Sequence, residues 1–400
     1  MEYESGGREA LLSFWLECDK GQGPILFPPD ASHRSLPPHL FRSYRRLWLS
    51  YESGTTLLGQ LLKKGWKKTP RLWRMILSAA YSELMWSDPS QYFAIVHSWV
   101  EIAKIKGNSA AVTVINGSLR SVCRQIESGA WSVDKIIPQS FQQAWQKSGG
   151  SVDSIQAILD EQRRQFWFSE KATKQEIPVE GAEMIGPKTL GAWRLPLGVF
   201  PDRFIREHGG FFQNLSAAEL CKTLVDDFQQ RGAGKILDLC AAPGGKTWQL
   251  SRLGLSSVFY FDENPLRLLD MEQSQMARQF SHVQKANAQI LEEGFEAVLL
   301  DVPCSNSGVL SKCPEAMRHY WKAGDNFLEV QEQALLKGLS LLKENGRLYY
   351  STCSIDPVEN SLRVREFSRK YHLKIASEKQ WLPDHEGRHG AYLAMLFHGE

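Results

Sequence analysis

Beyond residue 234 the sequence alternates between short runs of β-branched or aromatic residues and longer stretches with helical periodicity. This strict alternation predicts parallel strands in one doubly wound sheet, because each helix returns the chain across a face of the sheet. A last strand at 392–397 is predicted to close one edge. The sequence therefore predicts an α/β domain over residues 234–400. In chain order, beginning with a strand, the other predicted elements are 235–239, 245–253, 257–261, 266–280, 297–300, 327–342, 347–351 and 358–371.

The first 170 residues show a different pattern, in which apolar side chains recur at helical spacing. Residues 171–233 contain many prolines and glycines and are interpreted as a connector with an extension that packs on the next domain. Four hundred residues exceed what one compact core usually holds. We therefore predict an all-α domain (1–170), the connector and extension (171–233) and the α/β domain (234–400). The clearest helices of the first domain are predicted at 72–85, 93–105 and 110–126.

The formal net charge of +2 neither favours nor excludes a nucleic-acid partner. Basic side chains are nevertheless concentrated in one segment, 63–74, which holds no acid and also contains Trp66 and Trp73. Basic residues interleaved with aromatic ones suit a phosphate backbone and unstacked bases. A solvated helix face is the alternative interpretation, and composition leaves both open. The basic residues of the segment are Lys63, Lys64, Lys67, Lys68, Arg71 and Arg74.

Seven cysteines occur, none of them in a CxxC pair, so the sequence predicts no structural zinc site and no disulfide framework. The first residues lack the apolar core of a secretory signal, and no apolar run is long enough to span a bilayer. We therefore expect a cytoplasmic protein with no membrane partner and no metal. In a reducing compartment its thiols are available for catalysis.

A turn rich in small residues follows the first predicted strand of the α/β domain, at 238–247. Small residues at a strand-to-helix turn let a ligand approach the backbone and the free N–H groups of the next helix. The ending Gly-Lys-Thr is not a phosphate-binding P-loop, because that motif needs a glycine where Cys240 stands. Asp262 ends the next predicted strand, where an acid can bind both ribose hydroxyls of a nucleoside cofactor.

Cys304 and Cys353 each lie just beyond the carboxyl end of a predicted strand. A single free cysteine is more often a small buried apolar residue than a nucleophile. Two cysteines at equivalent strand ends of one nucleoside-binding sheet favour a catalytic pair, because ligands bind at that edge. The residues alone do not indicate which thiol attacks.

Three motifs carry a resemblance to a known family: Cys-Ala-Ala-Pro-Gly-Gly-Lys at 240–246, Asp-x-Pro-Cys-Ser at 301–305, and Thr-Cys-Ser…Pro-x-Glu-Asn at 352–360. With these motifs, residues 234–400 resemble the catalytic domain of the Sun-type (RsmB-like) RNA cytosine-C5 methyltransferases. Residues 1–170 resemble the NusB-like helical domain of the bacterial ribosomal-RNA members. The resemblance implies a Rossmann-like, S-adenosylmethionine-dependent methyltransferase domain preceded by an all-α NusB-like domain.

The same resemblance implies roles for individual residues. Cys353 matches the thiol that adds to carbon 6 of cytosine, and Cys304 the one that assists release of the adduct. Two residues are the candidates to stabilise that addition: Asp301, which is expected between cofactor and base, and Lys246. Lys246 or a helix N-terminus could also activate the thiol by lowering its pKa. DNA cytosine methyltransferases use the Pro-Cys thiol instead. The implied cofactor contacts are Cys240, Ala241, Ala242, Pro243, Gly244, Gly245, Lys246, Asp262, Asn287 and Asp301.

Three positions depart from the family pattern. Asn287 stands where an aspartate near the adenine is usual, and Asn214 replaces another aspartate before the catalytic domain. Gly390-Ala391-Tyr392 replaces an Asp-Gly-Phe-Phe pattern. These changes concern the cofactor contact and the fit of RNA, whereas both thiols, Lys246 and Asp301 are present.

The function expected from these features is methylation of C5 of a cytidine in RNA, foremost small-subunit (16S) ribosomal RNA, by a monomer that uses S-adenosylmethionine. Methylation of transfer RNA is the alternative within the same chemistry. A non-catalytic RNA-binding assembly factor is the alternative from another class, and retention of both cysteines disfavours it.

Overall fold

The computed structural model describes residues 5–18, 38–151, 165–168, 180–187, 189–196, 201–232, 234–321, 327–384 and 386–398. Its contacts divide the chain into two compact units. Unit 1 comprises Met1–Gln142 with Cys313–Gly324, and unit 2 comprises Gln143–Lys312 with Asp325–Glu400. The three-part division drawn from the sequence stays a prediction.

Unit 1 is helical, and the three helices predicted in it are confirmed to within one residue at each end. Asn108 begins the last of them by accepting a hydrogen bond from the N–H of Ala111, and Gly107 ends the helix before it. The core includes the fully buried Trp15, Trp48 and Trp99. The helices are α1 (Ser5–Cys18), α2 (Pro38–Leu61), α3 (Arg71–Met85), α4 (Tyr92–Lys106) and α5 (Ser109–Glu127), and α6 (Gln139–Lys147) follows at the boundary of the units.

The helical prediction for residues 1–170 extends over 19–37 and 152–164, which lie outside the described residues. It is wrong at its end, where Gln165–Phe168 forms a strand, β1. This strand joins β2 (Glu183–Ile185), β3 (Ala192–Leu195) and β4 (Phe211–Gln213) in an antiparallel sheet with the order β2-β3-β1-β4. The run Gln-Phe-Trp-Phe suits a strand because aromatic residues favour strands and alternate side chains point to the same face. Phe166 and Phe168 are buried in one hydrophobic core together with side chains of the main sheet.

Seven strands form the main sheet of unit 2, with the order β10-β11-β9-β8-β5-β6-β7. The five strands from β7 to β9 are parallel, and the sequence predicts four of them; the two-residue strand β7 was not predicted. The strands are β5 (Ile236–Asp238), β6 (Val258–Tyr260), β7 (Gln284–Lys285), β8 (Phe295–Asp301), β9 (Leu342–Thr352), β10 (Leu373–Trp381) and β11 (Ala391–His398). The helices are α7 (Pro201–His208), α8 (Leu215–Gln230), α9 (Gly245–Arg252), α10 (Pro265–Gln273), α11 (Gln275–Gln279), α12 (Ala288–Glu293), α14 (Phe327–Ser340) and α15 (Ser361–Tyr371), whereas α13 (Arg318–Trp321) belongs to unit 1.

Two predictions about this domain are corrected. The last strand, β11, does not close an edge, because it pairs antiparallel with both β9 and β10, and β10 is the edge strand. The helix predicted at 266–280 is broken at Ser274, whose extended backbone ends α10 and whose hydroxyl accepts from Ala277 N to begin α11. No helix among the described residues has the length and apolar character needed to cross a membrane.

Candidate active site

The carboxyl ends of the five parallel strands meet at one edge of the main sheet, the edge where open α/β sheets bind ligands. Asp238 ends β5, and Asp301 ends β8. Asp262 and Asn287 each lie two residues beyond their strands, and Cys353 follows β9 directly. The fold therefore places at one edge the polar and thiol side chains that the sequence distributes over more than a hundred residues.

The turn between β5 and α9 is held by the carboxylate of Asp262, which lies two residues beyond the neighbouring strand β6. Asp262 accepts from the N–H of Ala242 at 3.1 Å and from that of Asn264 at 2.9 Å. Gly244 has a φ of 100°, and a Cβ there would lie 2.5 Å from Nε1 of Trp248, so both backbone and packing require glycine. Ala241 and Ala242 are buried, Cys240 and Gly245 are partly buried, and Pro243 is exposed. Burial raises the pKa of Cys240 to about 12, so this thiol is a packing residue rather than a nucleophile.

Asp238 is a buried acid at the start of this turn. Its Oδ2 accepts from Oγ1 of Thr247 at 2.7 Å, whereas its Oδ1 has no hydrogen-bond partner among the residues that the structure describes. Burial raises the pKa of Asp238 to about 7. A raised carboxyl pKa means that the folded state loses stability as the pH rises from the ordinary pKa near 4 to about 7.

We expect Asp238→Asn to remove this pH dependence, since the amide keeps an oxygen for Thr247 but does not titrate. Between pH 5 and pH 8 the unfolding free energy of the variant should gain about 2–3 kcal/mol relative to that of the unmodified protein. Chemical denaturation at a series of pH values measures the difference. Parallel stability profiles for the two proteins would contradict the assignment of the titration to Asp238.

Lys246 and Asp301 form an ion pair beside the turn, with Nζ 2.5 Å from Oδ2. The other carboxylate oxygen of Asp301 accepts from Oγ of Ser351 at 2.9 Å. The Lys246 side chain is only 14% exposed. Burial acts to lower the pKa of Lys246, but the Asp301 carboxylate outweighs it and raises that pKa, so the ammonium stays charged. A cation is therefore held close to the strand ends that carry the thiols.

Cys304 and Cys353 lie in contact, with their sulfur atoms 3.2 Å apart. The pairing of β8 with β9 places Asp301 opposite Ser351, and the two loops that follow bring the thiols together. Cys304 is buried, whereas Cys353 is partly exposed and its Sγ lies 2.7 Å from Oδ1 of Asn306. The hydrogen bond to Cys353, reinforced by burial, raises the pKa of Cys304 well above its ordinary value. The raised pKa keeps Cys304 protonated at neutral pH.

Comparison with known proteins gives matches in both parts of the chain. Residues 227–396 match the family model described as 16S rRNA methyltransferase RsmB/F, and residues 45–124 match the model of the NusB family. The domain in residues 227–396 belongs to the RsmB/F methyltransferase family. Members of this family are S-adenosylmethionine-dependent enzymes, so the expected fold class, enzyme class and cofactor are confirmed.

Three relatives of this protein are 26–33% identical to it over the residues that align. A probable ribosomal RNA small subunit methyltransferase B of Synechocystis is 26% identical over 380 residues, covering 82% of this chain and 84% of the relative. A Bacillus subtilis protein of the same description is 26% identical, covering 70% and 68%. The multisite-specific tRNA:(cytosine-C(5))-methyltransferase of Saccharomyces cerevisiae is 33% identical over 168 residues, covering 35% and 24%. The crystal structure of PH0851 matches with a TM-score of 0.70 over 99% of both chains at 17% identity, which supports the fold alone.

The residues at the strand ends of this methyltransferase fit the cofactor of its family. Each Asp262 oxygen accepts one backbone N–H and keeps capacity for a ribose hydroxyl. The buried Oδ1 of Asp238, for which the described part of the chain offers no donor, is a further acceptor at the same edge. When bound, S-adenosylmethionine supplies an electrophilic methyl group. Asp262 and the 240–246 turn would hold it, although the contacts of individual residues stay a prediction.

The two departures that are asparagines, Asn214 and Asn287, both begin a helix as its N-cap. Oδ1 of Asn214 accepts from the N–H groups of Ser216 and His389, and its Nδ2 donates to the Gly387 carbonyl at 3.3 Å. An aspartate could not make that last bond, so the amide suits this loop. Asn287 is exposed and caps α12 by accepting from Ile290 N at 2.9 Å. Its contact with the adenine stays a prediction.

The third departure brings two loops of the active site together. Gly390 N donates to the Gly308 carbonyl at 2.7 Å, and Gly308 N donates to the Cys353 carbonyl at 3.0 Å. A Cβ on Gly308 would lie 2.6 Å from that Cys353 carbonyl oxygen, and one on Gly390 would lie 2.6 Å from Cα of Gly308. Glycine at both positions therefore allows the loop after Cys304 to approach the loop that precedes β11.

Sequence reasoning missed three residues that contact the catalytic loops: Asn306, Gln331 and Glu359. Glu359 lies in the Pro-x-Glu-Asn motif, and this position in a family motif indicated that it could be functional. Nothing in the sequence indicated which residues it contacts. Asn306 has a left-handed backbone with a φ of 59°, a conformation that asparagine tolerates better than most residues. Among the described residues, no cluster of His, Cys, Asp and Glu is arranged to hold a metal ion.

Proposed function

We propose that this RNA methyltransferase methylates C5 of a cytidine, foremost in small-subunit ribosomal RNA, through a covalent bond between Cys353 and carbon 6 of the base. The observation that carries the proposal is the pair of thiols in contact, with sulfurs 3.2 Å apart, beside the Lys246–Asp301 ion pair. Carbon 5 of cytosine is too weak a nucleophile to take a methyl group unaided. Addition of a thiolate at carbon 6 breaks the conjugation of the ring and makes carbon 5 nucleophilic.

Cys353 is the better nucleophile of the two because it is more exposed and because Cys304 holds its own proton. Negative charge spreads into the pyrimidine ring as the S–C6 bond forms. Lys246 donates one N–H to Asp301 and has further donors to stabilise that charge. The target base must leave its stack to reach both thiols.

Cys304 is suited to the second half of the reaction. Once Cys353 is bonded to the base, the hydrogen bond between the two thiols is lost. The largest cause of the raised pKa of Cys304 is then removed, and Cys304 can release its proton to solvent. Its thiolate can then take the C5 proton. The electrons of the C–H bond restore the C5–C6 double bond, and the C6–S bond breaks with its electron pair returning to Cys353.

The choice of ribosomal RNA rests on the Synechocystis and Bacillus relatives, which match most of the chain. The yeast transfer-RNA enzyme has higher identity over a shorter region, and it supports transfer RNA as the second candidate. Bisulfite sequencing of both RNAs, from cells with and without the gene, distinguishes them. Loss of one C5-methylcytidine from small-subunit rRNA is expected, whereas loss from tRNA alone would favour the second candidate.

The basic segment 63–74 is expected to contribute to RNA binding. It connects α2 to α3 in unit 1, and four of its lysines are exposed while Trp66 and Trp73 are partly buried. Replacing Lys63, Lys64, Lys67 and Lys68 by glutamine should weaken RNA binding by roughly tenfold or more at low salt and flatten the salt dependence.

Filter binding at several salt concentrations measures both quantities. The control replaces exposed lysines of unit 2, Lys337 and Lys343, which pair with Glu263 and Glu296. An unchanged salt slope for the unit 1 variant would identify the segment as a solvated surface.

A further inference from the structure

Glu359 is a buried acid next to the loop that carries Cys304. Only 4% of its surface is exposed. Its Oε1 accepts from the N–H of Ser305 at 2.9 Å, and its Oε2 accepts from Oγ of Ser305 at 2.5 Å. Both bonds go to the residue that follows Cys304, so the carboxylate fixes the backbone at the thiol.

A second element holds the same loop. Nε2 of Gln331, on α14, donates to the carbonyl of Pro303 at 3.1 Å and to Oε1 of Glu359 at 3.3 Å. Gln331 is fully buried. The residues on both sides of Cys304 are therefore tied to Glu359, one directly and one through Gln331.

The described contacts of the Glu359 carboxylate come from neutral groups. Arg363, one turn further on, is directed to the Leu328 carbonyl, Glu332 and Glu366 instead. Tyr350 donates to the main-chain carbonyl of Glu359 and not to its carboxylate. A buried carboxylate whose charge no cation neutralises keeps a strong negative field around it.

We propose, on the premise of the function above, that Glu359 is a positioning residue that holds the Cys304 loop and keeps the proton on Cys304, so that Cys353 is the thiol that attacks. The titratable groups that face Cys304 are Cys353, Glu359 and, across the strands, Tyr350. The hydrogen bond to Cys353 and burial raise the pKa of Cys304 most, and the Glu359 charge acts in the same direction. The ammonium of Lys246, which lies at the same strand ends, is paired with Asp301.

The test measures alkylation of Cys304 by iodoacetamide against pH, resolved by peptide mass spectrometry. All proteins carry Cys353→Ser, so that reaction at Cys353 does not alter its neighbour. Glu359→Gln keeps an oxygen for Ser305 N while removing the charge. We expect the half-maximal pH of Cys304 alkylation to fall by about one unit, making the reaction roughly tenfold faster at a fixed pH below it.

The matched control is Glu366→Gln, which removes an exposed carboxylate from α15, the helix that begins two residues after Glu359, and should leave the Cys304 profile unchanged. If Glu359→Gln does not fold, Ser305→Ala serves instead. It removes one donor from the carboxylate, strengthens the field at Cys304 and should move the half-maximal pH upward. A Cys304 profile that neither substitution shifts, or that Glu366→Gln shifts equally, would overturn the proposal.

This readout needs neither RNA nor cofactor, so its failure is distinguishable from failure of the proposed function. If the Cys304 profile shifts but the protein forms no covalent complex with RNA, the positioning role stands without the reaction. If the covalent complex forms and the profile does not shift, the reaction stands and Glu359 is a structural residue only.

Discussion

Replacing Cys353 by alanine is expected to abolish both methylated product and covalent protein–RNA complex, while replacing Cys304 by alanine is expected to trap the complex. Without Cys353 no thiol is exposed at the end of β9 to add to carbon 6, so methylation should fall by roughly a thousandfold or more. Without Cys304 the addition and methyl transfer can proceed, but the C5 proton is not removed. Denaturing gel electrophoresis with radiolabelled RNA and S-adenosylmethionine separates the two outcomes.

The control is Cys123→Ala, which removes a buried thiol of α5 in unit 1 and should leave both product and complex unchanged. Retention of product by Cys353→Ala would exclude Cys353 as the nucleophile. The opposite pattern, in which Cys353→Ala traps the complex and Cys304→Ala forms none, would assign attack to the Pro-Cys thiol. The 3.2 Å contact between the sulfurs does not by itself favour either thiol as the nucleophile. The greater exposure of Cys353 and the raised pKa of Cys304 favour Cys353.

Much of the domain around these thiols could be predicted from the sequence. The alternation of apolar runs and amphipathic helices predicted the parallel strands β5, β6, β8 and β9, because strands buried on both faces have apolar sequences. Strand β10 was not predicted, because its sequence Leu-Lys-Ile-Ala-Ser-Glu-Lys-Gln-Trp is largely polar and only its first and last residues are buried. An edge strand with one exposed face does not produce the pattern of a central one.

The active site, too, has features that the sequence could predict and features that it could not. Strand ends predicted which residues would share the ligand-binding edge, since that follows from parallel topology alone. The contact between the thiols depends on the register that sets Asp301 opposite Ser351, which the sequence does not encode locally. Glu359 is hydrogen-bonded to Ser305, which is 54 residues away in the sequence, and to Gln331, which is 28 residues away. A buried acid with partners that distant is visible only once the fold brings them together.

Replacing Asp301 by asparagine is expected to lower methylation by about a hundredfold or more and also to reduce stability. The amide can still accept from Ser351, but it no longer balances the ammonium of Lys246. Breaking a buried ion pair from one side leaves an uncompensated charge. Because the Asp301 side chain is 31% exposed, we expect a loss of only about 1–2 kcal/mol. Single-turnover methylation and chemical denaturation measure the two effects.

The exposed pair Lys337–Glu263 provides the control, and Glu263→Gln should change the unfolding free energy by less than about 0.5 kcal/mol without affecting methylation. A double-mutant cycle with Lys246→Met then separates two roles for Asp301. If Asp301 acts only by holding Lys246, the double variant should be no slower than Lys246→Met alone, and its stability should partly recover because no unpaired charge is left. If the two losses of rate multiply instead, Asp301 contacts the base in its own right. Full activity in Asp301→Asn would exclude both roles.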